Sequence, residues 1–276
     1  DVLAARLKAL GAEVGGTDLV ELVDAPEVIE MGEDAARAVR AKPRSSIRVA
    51  AELCRDGAAG ALVSAGSTGA TLAASLLALG RMEGIRRPAV AVVIPLAAPS
   101  GSPEVSLGRQ VILVDAGGTP DATADMLPTY ASMGSAYARA LGVARPRIGL
   151  LNVGEEPGKG SALAKEAFVL LEQAPGFAGN VEPAAVFAGA VDVVVTDGFT
   201  GNVFLKTIEA FRAAGEDQPG AGAALLLGVR GHVLVAHGAA GENEILAALR
   251  TAATLTAADL VGTLTAALAV HEGGET

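Results

Sequence analysis

Within VVVTDGFTGNVFLKTIEA (193–210), six residues separate a run of valines from a helical pattern. Asp197, Gly198, Phe199, Thr200, Gly201 and Asn202 place a carboxylate, a hydroxyl, a carboxamide and two glycines where a buried strand ends. Similar polar turns recur along the chain. They are SAGSTGA (64–70), DAGGTPD (115–121), NVGEEPGKG (152–160) and AHG (236–238), each following an apolar run. In a parallel α/β sheet, ligands bind beyond the carboxyl ends of the strands. Helix N-termini there offer unpaired N–H groups and partial positive charge to anions. The turns therefore predict one shared cleft on one sheet edge, and the ordinary alternative for each alone is a helix cap.

The groups available to that cleft are few. Lys159, between two glycines, is either a solvated surface cation or one aimed at a phosphate or a developing oxyanion. Asn202 falls in the expected first turn of its helix, where it either caps or donates its amide N–H to a carbonyl oxygen. Asp197 either orients Lys159 or holds its loop by accepting backbone N–H bonds. His237 ends a strand on the expected ligand edge, whereas His232 and His271 have no such setting. Candidate phosphate ligands are Ser64, Gly66, Ser67, Thr68 and Gly69 of the first turn and Asp115 and Asn152 of the next two. Gly198, Thr200 and Gly201 of the last turn complete the set. No His, Cys or acidic cluster has metal-ligand spacing, and no nucleophile elbow or Walker loop occurs. That pattern suits direct transfer between bound substrates, without metal or other cofactor.

The elements that must carry these residues alternate. Helical patterns cover 1–10, 35–41, 46–57, 70–82, 124–142, 161–176, 202–215 and 242–272, the last as one helix or a pair. Strand patterns cover 60–66, 88–96, 111–118, 147–154, 177–183, 191–198 and 232–238. Strands of this kind followed by helices predict a three-layer α/β/α sandwich around a mostly parallel sheet. Pro128 should sit in the first turn of its helix. The segments 98–110 and 215–224 read as loops.

Of the 276 residues, 51% are hydrophobic but only 3% aromatic, with no Trp, so the core must be aliphatic. A net charge of −10 argues against nucleic acid as a partner. The single Cys54, on an apolar helical stripe, reads as a structural thiol and suits a reducing compartment. No apolar run approaches the ~20 residues of a spanning helix, and the opening segment is no signal peptide, so the expectation is a soluble cytoplasmic protein.

Taken together, SAGSTGA, GRMEGIRRPA (80–89), YASMGSAY (130–137), PRIGLLNVGEEPGKG (146–160), FAGNVE (177–182) and VVVTDGFTGNVFLKTIE (193–209) resemble the bacterial phosphate acyltransferase family, PlsX. The resemblance implies an isocitrate and isopropylmalate dehydrogenase-like fold, one such domain over 1–276, and a homodimer. It implies transfer of a fatty acyl group from acyl carrier protein to inorganic phosphate, giving acyl phosphate for phospholipid synthesis. It places the catalytic lysine on Lys159 and the catalytic asparagine on Asn202, and adds peripheral contact with the inner face of the cell membrane. Three departures stand out. The family's N-terminal strand and its Asp–Met–Gly–Gly–Asp motif are not in the sequence, a helical hairpin is missing near 213–221, and Thr119 stands where the family usually has Asn. Acidic carrier protein calls for a basic patch, for which Arg37, Arg40, Lys42, Arg44 and Arg48 form one candidate and Arg81, Arg86 and Arg87 another; a solvated face is the alternative for both. Competing functions are a phosphate acetyltransferase using acetyl-coenzyme A, a NAD(P)-dependent dehydrogenase of the same fold, and a non-catalytic membrane scaffold.

Overall fold

A computed structural model describes residues 2–9, 20–96, 109–214 and 222–272. Nearly all of the loop expected over 98–110 and most of that over 215–224 lie outside them. The elements run α1 (Val2–Ala9), α2 (Ala35–Ala41), α3 (Ser46–Arg55), β1 (Ala61–Ser64), α4 (Thr68–Ala78), β2 (Ala89–Pro95) and β3 (Gln110–Val114). They continue with α5 (Leu127–Ala140), β4 (Ile148–Leu151), α6 (Ala162–Leu171), β5 (Phe177–Val181), α7 (Pro183–Phe187), β6 (Val193–Val195) and α8 (Gly198–Ala214). The last are β7 (Ala224–Leu227), β8 (His232–Val235), α9 (Glu242–Ala257) and α10 (Leu260–Glu272).

The starts of the helices have local causes. The Ser67 hydroxyl accepts from Ala70 N–H at the head of α4, and the Ser161 hydroxyl accepts from Ala164 N–H at the head of α6. Pro128 lies in the first turn of α5, where its missing N–H costs nothing. The long C-terminal pattern is two helices. They break at Asp259, whose φ of 44° lies in the left-handed region.

Eight strands form one sheet in the order β1-β8-β7-β2-β3-β6-β4-β5. Alternation along each strand divides the core. Ile112 and Val114 face α5, α6, α9 and α10, whereas Val111 and Leu113 face the layer of α2, α3, α4 and α8. Tyr130, Tyr137, Leu171 and Leu255 anchor the first layer, and Val39, Ala51, Leu205 and Ile208 the second. This is the expected α/β/α sandwich. Cys54 is half-buried against the second layer, and burial pushes its thiol up, as suits a structural role.

The expectation of one shared sheet edge is overturned. Strand β2 is antiparallel to both β3 and β7, and β7 is antiparallel to β8. Consequently β3, β6, β4 and β5 run one way, and the parallel pair β1 and β8 runs the other way. The turns after β3, β4 and β6 leave one edge, and those after β1 and β8 leave the opposite edge. The reversal rests on β7, ALLL, whose short apolar run carries no polar end to mark it as a strand.

Among the described residues, no single helix is long and apolar enough to cross a membrane; the bent pair α9 and α10 has the length and composition. Its apolar stripe is consumed inside the fold, however. Ala248, Ala252 and Leu255 of α9 and Leu260, Leu264 and Leu268 of α10 are buried. One side of α9 and α10 is thus core, while Leu246 and Leu249 of α9 are exposed.

Candidate active site

The first turn of α8 is the centre of the polar constellation. Asp197 is its cap: one carboxylate oxygen accepts Thr200 N–H at 2.9 Å and the other accepts the Thr200 hydroxyl at 2.6 Å. Of its two expected roles, Asp197 fills the loop-holding one, and it makes no ion pair with Lys159. Because the helix begins at Gly198 rather than at 202, Asn202 opens its second turn and is not needed as a cap. Its amide nitrogen donates to Ala116 O at 3.0 Å, which fixes the carboxamide and leaves the second N–H free to donate.

The glycines of this turn serve close approach rather than anion binding. Gly198 N–H donates to Thr119 O, Thr200 N–H to Asp197, and Gly201 N–H to Asp197 O. Three of the candidate amide ligands are therefore already spent. A Cβ on Gly201 would lie 1.9 Å from Asp115 O, so only glycine lets α8 seat against the 115–119 turn. Gly117 plays the reciprocal part: its φ is 125°, and a Cβ there would lie 2.6 Å from Asn202 Nδ2.

Asp115 does not face a cleft. It is fully buried, and its carboxylate accepts N–H groups from Val90, Gly117, Gly118 and Thr119 at 2.6–3.1 Å. Burial pushes its carboxyl up, and those backbone donors pull against that shift. Its work is to fold the turn, and with every nearby donor engaged it has nothing to offer phosphate. Asn152 is likewise turned to bracing: its amide donates to Lys159 O and its oxygen accepts Val153 N–H. That hold shapes the Lys159 loop, where the exposed ammonium has no carboxylate partner among the described residues.

At α4 the arrangement is more open. Ser64 Oγ accepts Gly66 N–H and the Thr71 hydroxyl, and Ser67 caps the helix. The amides of Thr68 and Gly69, at the first two helical positions, have no intrahelical acceptor. His237 Nδ1 accepts Ala239 N–H, so in the neutral ring the proton sits on Nε2.

Although β1 and β8 end opposite β3 and β6, their turns meet across the face of the reversed strands. Thr68, Gly117, Asn202 and His237 line one crevice of about 280 Å³, floored by Val90 and Val92 of β2. A second cavity, of about 830 Å³, opens on the other side of the first turn of α8. Asn152, Gly160, Asp197 and Thr200 stand among its lining. Ser64, Gly66 and Ser67 line a separate hollow of about 450 Å³ with Ile29 and Ile47, and other sequence-predicted residues divide between the first two cavities, with Thr68, Asn202 and His237 in one and the Lys159 loop and Asp197 in the other. The turn bearing Gly198–Asn202 is the wall between them. Sequence reasoning missed the large cavity, although an i, i+3, i+4 stripe of Val203, Phe204, Thr207 and Ile208 marks it.

Residues 8–216 match the family model described as fatty acid synthesis protein. The chain belongs to that family. A phosphate acyltransferase from Exiguobacterium is 50% identical over 192 residues, which cover 69% of this chain and 56% of that relative. A phosphate acyltransferase from Gloeobacter violaceus is 41% identical over 267 residues, covering 84% of this chain and 76% of the relative. In fold, the chain is similar to a phosphotransacetylase from Staphylococcus aureus, with TM-score 0.61 and 16% identity over 95% of this chain and 82% of the other. A branched-chain phosphotransacylase from Enterococcus faecalis gives 0.56 and 20% over 77% and 79%.

Proposed function

We propose that the protein transfers a fatty acyl group from a carrier-protein thioester to inorganic phosphate, releasing the carrier thiol and an acyl phosphate for phospholipid synthesis. The observation that carries this reading is the crevice in which the open amides of α4 meet Asn202 and His237, in a chain whose curated relatives are phosphate acyltransferases. A tetrahedral anion fits such a setting: backbone N–H groups at a helix N-terminus, the Thr68 hydroxyl, and two lining carboxylates, Glu209 and Glu244, that are already held by Lys206 Nζ and by Gly241 N–H.

In the proposed reaction a phosphate oxygen attacks the thioester carbonyl carbon. A C–O bond forms and the carbonyl electrons move to oxygen. The free N–H of Asn202 donates to that oxyanion, and in this reading the exposed Lys159 side chain, whose loop lies beyond the first turn of α8, reaches around that turn to offset the negative charge shared by phosphate and oxyanion. The intermediate then reforms its carbonyl and breaks the C–S bond. The leaving thiolate takes up the proton that the attacking hydrogen phosphate gives up as it becomes an acyl phosphate, and His237 Nε2–H stands in the crevice as a hydrogen-bond donor.

The decisive assay measures phosphate-dependent release of free thiol, and formation of acyl phosphate, from long-chain acyl carrier protein. Release from acetyl-coenzyme A alone, or reduction of NAD without acyl transfer, overturns the reading.

Carrier docking is assigned by this reading to Arg81, Arg86 and Arg87. They line a hollow of about 480 Å³ with Ile85 and Met126, and Arg87 adjoins Pro88, whose carbonyl accepts the Thr119 hydroxyl of the site turn. Arg86 itself pairs with Asp125; in the other basic cluster, Lys42 pairs with Glu33, Arg44 with Asp24 and Arg48 with Glu52. Arg87→Glu is expected to raise KM for carrier protein about tenfold at low salt, a gap that narrows as salt rises. An unchanged KM at every ionic strength removes the patch from the account.

A further inference from the structure

The 830 Å³ cavity beside α8 meets the Lys159 loop and Asp197 at one side, and the rest of its make-up is specific. From the α8 side it is bounded by Thr200, Val203, Phe204, Thr207, Phe211 and Arg212, a single helical stripe. Leu150 of β4, Leu163 of α6 and Phe187 of α7 form facing walls. Charged side chains occur in the lining only as Asp197 and Arg212. Asp197 caps the start of α8, and Arg212 lies near its other end, where its guanidinium donates to Pro95 O. Between them the walls are mainly aliphatic and aromatic; the polar exceptions are Asn152, Ser161, Thr196, Thr200 and Thr207, of which Asn152 donates to Lys159 O, Ser161 caps α6 and Thr207 Oγ1 is turned onto Val203 O.

We propose that this cavity holds the alkyl tail of the acyl substrate, lying along α8 from Thr200 toward Arg212. The inference rests on the acyl-transfer reading and extends it to chain length. Three observations support this occupant. The cavity is a hollow of ligand size sunk between helices and is almost wholly apolar. One end of it, at Asp197 and Thr200, lies on the same helical turn that carries Asn202, so a tail seated there ends at that turn. Its length also fits. Thr200 to Arg212 spans about 18 Å of helix at ~1.5 Å per residue. An extended chain advances roughly 1.2 Å per bond, so the cavity accepts about 14 to 16 carbons.

Side chains placed along the stripe should act as a ruler. Thr207, exposed and about 10 Å from Thr200 along the helix, marks the midpoint. Val203, half-exposed at 51%, lies nearer the mouth. Thr207→Trp is expected to leave room for about eight carbons, and Val203→Trp for fewer. Each buried methylene contributes about fourfold in affinity. Thr207→Trp should therefore lower the ratio of palmitate to octanoate affinity by at least ~100-fold, read by calorimetry below the micelle concentration. The ratio of kcat/KM for palmitoyl to octanoyl carrier protein should fall in parallel.

Failure of a wild-type chain to bind palmitate overturns the proposal. So does an unchanged ratio in both tryptophan variants, or the same chain-length cut-off in each. An unchanged ratio together with a dimer that Thr207→Trp converts to monomer in sedimentation would show instead that a second copy covers this face. Palmitate binding that obeys the ruler in a protein inert toward every acyl thioester would leave the cavity assignment standing and remove the transfer reaction.

Discussion

Gly201→Ala is expected to lower turnover about 100-fold while costing the fold only about 1–3 kcal/mol. The added methyl has no room, since it would lie 1.9 Å from the backbone oxygen of Asp115. That oxygen cannot swing away, because the Asp115 carboxylate is pinned by four backbone N–H groups. The head of α8 must move instead, by an ångström or more. Overpacking of this kind costs about 1–3 kcal/mol, offset in part by the better helix propensity of alanine. Asn202 rides on the displaced turn and loses its 3.0 Å bond to Ala116 O. Misplacement of a reacting group by about 1 Å is enough for a ~100-fold loss. Denaturant unfolding beside acyl phosphate assays will separate the two effects. Full turnover in Gly201→Ala would mean that the close seating of α8 has no bearing on the chemistry.

Asn202→Ala tests the donor itself and should reduce kcat by about 10²–10³, the usual cost of one oxyanion donor. The side chain is exposed and makes a single hydrogen bond within the fold, so stability should change by no more than about 1 kcal/mol. Asn202→Asp should be no better. It keeps the shape but turns an acceptor toward the Ala116 carbonyl and brings negative charge to the phosphate crevice. Because the proposed bond strengthens as charge develops on oxygen, the loss should appear in kcat more than in KM. A variant with wild-type kcat assigns Asn202 to a structural role.

Much of this arrangement is legible in the residues. Apolar runs closed by Ser, Gly and Asp locate most strands and helices, because caps and turn residues act locally. Lys159, Asn202, Asp197 and His237 are recognisable because each follows a buried strand. Strand direction is another matter. The side chains of an apolar run look alike whichever way the strand points, so the reversal at β2 and β7, and with it the two-edged site, has no local signature. The inward turn of Asp115 is equally hidden: an acidic residue beside two glycines reads as a ligand until Val90, 25 positions away, supplies a donor. Gly198 and Gly201 look like an anion cradle for the same reason, since the backbone that needs their small size comes from a distant turn. The α7 helix, PAAVF, is too short for its periodicity to register.

The pairing of Ala61 with His232 has a consequence for how the chain assembles. Among the described residues, β1 ends the sheet and pairs with β8, which is synthesised about 170 residues later, a long loop to close before these hydrogen bonds can form. The α4 turn following β1 must wait for that closure, so the anion crevice should be among the last parts of the molecule to become competent during refolding.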